Sequence, residues 1–117
     1  MAELYFGSVV INVGDMYRAR RFWTATLGYV ERDAPDETFT VLHDPQRPWA
    51  NLSLQRTSEP KSQRNRLHLD LYTEHQQREV ERLIALGATR PAWDYPPDAD
   101  FVVLADPDGN EFCVIQR

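Results

Sequence analysis

At 117 residues, 42% hydrophobic and 26% charged, the chain is long enough for one domain with its own core and needs neither disulfides nor a structural metal to fold. Its net charge of −5, from 13 basic and 18 acidic residues, argues against a phosphate-rich partner, so nucleic acid binding is not expected. No apolar run reaches the roughly 20 residues of a membrane span, the opening "MAELYFGSVV" lacks the basic and apolar regions of a secretory signal, and one cysteine excludes an internal disulfide, so a cytoplasmic protein free of membranes is expected.

In chain order, residues 8–13 alternate as a strand, with Val9, Ile11 and Val13 on one face and Ser8, Val10 and Asn12 on the other. Asp15 suits a helix N-cap. Met16, Ala19, Phe22, Trp23 and Leu27 then mark a helical stripe that Gly28 ends. Short strands are predicted near 28–32, 38–43 and 50–56, followed by the polar linker "TSEPKSQR" at 57–64. The same order then returns. Leu67, Leu69 and Leu71 alternate with His68, Asp70 and Tyr72. A helix is predicted over 75–86 with Val80, Leu83 and Ile84 inward and Gly87 as its stop, and strands near 88–93, 100–105 and 111–116. Asp106, Pro107, Asp108 and Gly109 read as a hairpin turn needing a positive φ.

The two halves repeat one another. "FTVLHDP" (39–45) matches "FVVLADP" (101–107) at an offset of 62, with five identities in seven positions. "LQR" (54–56) matches "IQR" (115–117) at 61, "TLG" matches "ALG" at 59, and "SVVINV" aligns with "HLDLYT" at 60. The expectation is an α+β chain of two tandem β-α-β-β-β units, about 4–57 and 66–117, joined by a linker at about 58–65 into one domain over 1–117.

These paired units, the "V-x-I-x-V-x-D" opening and the "DPDGN" hairpin, with "RRFWTATLG" and "VVLADPDGNEFCV", resemble the vicinal oxygen chelate superfamily: glyoxalase I, bleomycin- and fosfomycin-resistance proteins and extradiol dioxygenases. The resemblance is strongest to its small glyoxalase-like subgroup. It implies a curved, mostly antiparallel eight-stranded sheet around a cleft with helices outside. It also implies a homodimer. Family members place a divalent metal on the first and last strands of the units. Counted by the family's spacing and by the offset of 61, those positions hold Ser8, Leu52, His68 and Cys113. A leucine donates nothing and a neutral serine little, so no obligatory metal is expected.

Single residues carry open readings. His68 is a hydrogen-bonded structural histidine or a pocket acid–base group. Asp70, on the same face, orients that ring, contacts a polar ligand or is solvated. Cys113 reads as a small, unreactive strand residue, since no cation or helix N-terminus stands near it in sequence to lower its pKa. Glu111 shares its parity about 7 Å nearer the turn, at about 3.4 Å per residue. Trp49, Trp93 and Tyr95, in proline-rich loops, either line a cleft or cap sheet ends. Phe22 and Trp23 are expected in the core or at a dimer contact. The basic run Arg18, Arg20 and Arg21 is expected on a wet helix face. Together with Ser8, Asn12 and Leu52 these residues make the expected lining for a small organic ligand in an aromatic cleft, with His68 as the catalytic candidate. The alternatives are a metal-dependent lyase or dioxygenase, in which His43, His75 or Glu111 enters the metal shell, and a ligand-free structural or regulatory dimer module.

Overall fold

The structure is a computed structural model that describes residues 2–34 and 36–117. The chain divides between Pro60 and Lys61 into two compact units.

The first unit runs β1 (Ser8–Val13), α1 (Met16–Leu27), β2 (Val30–Glu31), β3 (Phe39–His43) and β4 (Asn51–Arg56). Its mixed sheet has the order β1-β4-β3-β2, with β1 and β4 parallel and the other neighbours antiparallel. The Asp15 carboxylate accepts the Arg18 backbone N–H at 3.0 Å and caps α1. Gly28, at φ 71°, ends the helix by donating its N–H to the Thr24 carbonyl at 2.9 Å. The buried stripe of α1 is Met16, Ala19, Phe22, Trp23 and Thr26, with Thr26 taking the place expected for Leu27. Phe22 and Trp23 meet edge to face, with ring centroids 5.0 Å apart. The helix packs on β4, where Leu52 and Leu54 join Val13 and Leu42 in the core.

The second unit runs β5 (Leu69–Thr73), α2 (Gln76–Ala85), β6 (Phe101–Ala105) and β7 (Glu111–Gln116). Its three-stranded sheet has the order β5-β7-β6, with β5 and β7 parallel and β7 and β6 antiparallel. Gly87, at φ 120°, and Ala88 donate to the Ile84 and Leu83 carbonyls, the paired bonds that close a helix C-terminus on a left-handed residue. Val80 and Leu83 of α2 are buried, and the helix packs on β7. Ile84, expected inward, is 44% exposed. Leu67, expected to alternate with Leu69, lies before β5 and is exposed. The 106–110 turn is held by Asp106, 2% exposed, whose carboxylate accepts the backbone N–H of Asp108 and of Asn110. Gly109 supplies the positive φ, at 85°.

Among the described residues seven strands form, in sheets of four and three, where one eight-stranded sheet was expected. The missing strand is that of 88–93. It is reduced to a single bridge between Thr89 and Ala105. Pro91 removes a ladder donor just beyond it, and Pro96 and Pro97 follow. The outer edge of β6 is completed by a side chain instead: the Val103 N–H donates to the Tyr95 hydroxyl at 2.8 Å. Among the described residues no helix is long and apolar enough to cross a membrane.

Candidate functional site

Strand register decides which side chains share a face. In the second unit Asp70 pairs with Cys113, and Cys113 with Val103. In the first unit the same pairings join Val10 to Ser53 and Ser53 to Val41. Ser53, not Leu52, therefore stands where Cys113 stands. The first and last strands correspond at an offset of 60 and the hairpin strands at 62, so the offset of 61 read from "LQR" and "IQR" is one residue out. That slip turns a side chain to the other face. Leu52 pairs with Val9 and is 3% exposed in the core. The position expected to hold a leucine holds a hydroxyl.

In the first unit the Ser8 Oγ lies 2.5 Å from the Ser53 Oγ and 3.3 Å from the Asn51 carbonyl oxygen. Two hydroxyls satisfying each other give neither a base nor a charge. Asn12 follows on the same face and is exposed. Trp49 lies in the loop between β3 and β4, 58% exposed, with the Arg47 guanidinium 4.3 Å from its ring centre. Asp44 holds Arg47 at 3.2 Å. His43 ends β3 on the face of Val41.

The second unit gathers the chemistry. His68 comes one residue before β5, and its Nε2 lies 3.1 Å from the Asp70 Oδ1. The His68, Asp70 and Cys113 ligand atoms all lie within 4.8 Å of one another. Burial, then the charge of Asp70 and a hydrogen bond to it, then the charge of Glu111, push the Cys113 thiol up. Cys113 is thus held as a neutral thiol at neutral pH, donating to a carboxylate.

A cavity of about 240 Å³ opens over this group, lined by Arg64, Asn65, His68, Trp93, Val103, Glu111, Phe112 and Cys113. It lies within the second unit. It is smaller than the roughly 300–1,000 Å³ of drug-sized pockets, which sets the ligand scale at a small molecule. Two larger hollows, about 450 and 390 Å³, are wide open and walled by the starts of α1 and α2. Neither contains the His68 group. His75 lines the second of them, at the N-cap of α2.

Of the expected lining, the structure brings together His68, Asp70, Cys113, Glu111 and Trp93. Ser8, Asn12 and Trp49 belong to the first unit, and Leu52 to its core. Tyr95 is engaged at the β6 edge and against Phe101, 5.3 Å between ring centroids. Arg64 and Asn65, read as linker, are part of the site. The Arg64 guanidinium sits 4.4 Å from the Trp93 ring centre, and the Asn65 side chain donates to the Glu111 carbonyl at 3.0 Å. Their polar composition is that of any linker. The one signal was their closeness in sequence to His68.

A metal is implied by the superfamily resemblance, and the donor set tests it. One imidazole nitrogen, one carboxylate oxygen and one sulfur suit a zinc-like ion with the thiol deprotonated. They do not suit magnesium or calcium, which take oxygen ligands. In such a site Asp70 would be the third donor, where His43, His75 or Glu111 was considered.

A family model described as a glyoxalase-like domain matches residues 8–115. A search of curated proteins finds no match. Among solved structures, a glyoxalase/bleomycin resistance protein/dioxygenase family enzyme from Burkholderia phytofirmans PsJN is similar at a TM-score of 0.75 and 19% identity, covering 94% of this chain and 96% of that one. The fosfomycin resistance protein FosX from Listeria monocytogenes is similar at 0.78 and 13%, covering 100% and 93%. A glyoxalase-related enzyme from Fulvimarina pelagi is similar at 0.69 and 21%, covering 97% and 88%. At these identities the structures show a shared fold, which on its own does not carry a reaction.

Proposed function

The chain belongs to the glyoxalase-like domain family, and on that premise we propose that it binds a small organic molecule in the Trp93 cavity of its second unit without an obligatory metal. The observation that carries this reading is one cavity of about 240 Å³ with an aromatic ring in its wall and a His68–Asp70 pair, 3.1 Å between Nε2 and Oδ1, beside a neutral thiol. The ring supplies contact area at little entropic cost, and the imidazole supplies one acid–base group. A ligand with an acidic proton presented to the His68 imidazole would find a base whose orientation Asp70 fixes.

Untagged protein is dialysed against EDTA, analysed for metals, and screened with small organic molecules by thermal shift. Sub-stoichiometric metal and ligand-dependent stabilisation in EDTA are expected; a ligand at 100 times its Kd adds about 2.7 kcal/mol. Stoichiometric metal surviving dialysis overturns the metal-free part.

The second reading is a zinc-type centre on His68, Asp70 and Cys113, favoured by the closeness of their ligand atoms. An ion bound there would supply Lewis-acid polarisation of substrate oxygens. Zinc would then stabilise the chain strongly and EDTA would reverse it. A homodimer, as the family resemblance implies, in the cytoplasm, as the single cysteine suggests, completes the proposal.

A further inference from the structure

The lining of this cavity is electrostatically uneven. Glu111 and Arg64 both line it, yet among the described residues neither forms an ion pair with the other or with a third group. The Arg64 guanidinium rests on the face of Trp93 instead. Its position shows what that face attracts: the negative face of an indole holds a planar cation. Among the residues that line the cavity Glu111 brings a carboxylate and Arg64 a cation, and the Asp70 carboxylate lies close to Cys113 in the cavity wall. Glu111 is not fully exposed, so its charge is only partly screened by water.

Resting on the cavity reading above, we propose that the ligand is a small organic cation, an amidinium, guanidinium or ammonium on a compact apolar body. It stacks its charged group on Trp93 in the place Arg64 now holds and sets it against Glu111. Arg64 is an internal stand-in. It comes from the segment just before β5 and can leave the ring without disturbing the sheet, and its departure removes the one positive charge that would repel the ligand. The cavity is large enough for about ten non-hydrogen atoms at the density of packed organic groups.

Three probes of one shape and different charge test this: benzamidine, benzamide and benzoate, titrated by calorimetry into dialysed full-length protein. Benzamidine is expected to bind about tenfold tighter than benzamide, the scale of one partly desolvated cation–π contact, with benzoate weakest. Glu111→Gln, nearly isosteric, removes the benzamidine advantage and leaves benzamide binding unchanged. Arg64→Ala leaves benzamidine binding equal or tighter. Benzoate binding tightest and lost in Arg64→Ala overturns the inference in favour of an anion site. Equal binding of benzamidine and benzamide overturns it while the cavity reading stands. Binding of none of the three sinks the cavity reading and the inference together.

Discussion

Asp70 is the residue on which the site turns. One carboxylate lies within reach of the His68 imidazole and accepts from the Cys113 thiol, which, with burial, holds the thiol's proton on. Asp70→Asn removes the charge that holds the thiol up. Alkylation of Cys113 by iodoacetamide at pH 8 should therefore speed up several-fold in the variant, because the thiolate fraction rises; an unchanged rate would separate Cys113 from Asp70. The sign of the stability linkage follows. The folded chain keeps the thiol proton to higher pH than the unfolded chain, so this contribution is intact below the ordinary thiol pKa and is lost as pH rises through the raised folded value. Stability measured by urea unfolding should fall over that alkaline window in the parent and fall less in Asp70→Asn.

At the scale of elements, register outranks composition. Leu52 and Ser53 are neighbours in β4 on opposite faces, and only the pairing with β1 and β3 says which is which. The structure makes Leu52 core and Ser53 the partner of Ser8. Leu52→Ala should cost about 2–5 kcal/mol, the range for emptying a buried leucine site. Ser53→Ala should cost less, about 0.5–1.5 kcal/mol, the net worth of one hydrogen bond, since the exposed Ser8 hydroxyl keeps the Asn51 carbonyl and water. Urea titration of both variants checks it, and the reverse order would mean the register is wrong. The edge of β6 teaches the same lesson. An aromatic–proline segment replaces a strand, and the Tyr95 hydroxyl accepts the N–H that a strand would have taken.

For the whole molecule, the proposed homodimer has a physical motive. Val10, Val30 and Phe39 leave apolar surface exposed in the first unit, and Leu4, Tyr5 and Phe6 are about nine-tenths exposed. Apolar surface of this kind is covered when a partner is present. Light scattering on the eluting protein should give twice the chain mass of 13.6 kDa; a single-chain mass at micromolar concentration would remove the dimer from the proposal.

Much was legible because it is local. The Asp15 cap, the glycine stops at Gly28 and Gly87 and the Asp106–Gly109 turn each depend on a few adjacent residues, and each forms as those residues dictate. The family signature was legible for the same reason, as motifs along the chain. His68 and Cys113 were found as candidates through the ligand spacing that the family resemblance implies, and Asp70 and Glu111 because period-two alternation puts them on the faces of those two residues. What tertiary structure alone decided was non-local. Register assigned Ser53 rather than Leu52 to the face of Ser8. Proline spacing and the Tyr95 bond removed a strand. Packing brought Arg64 onto Trp93, 29 positions away in sequence. Alternation specifies a face but not its partner, and a cation–π contact leaves no periodic trace in the chain that makes it.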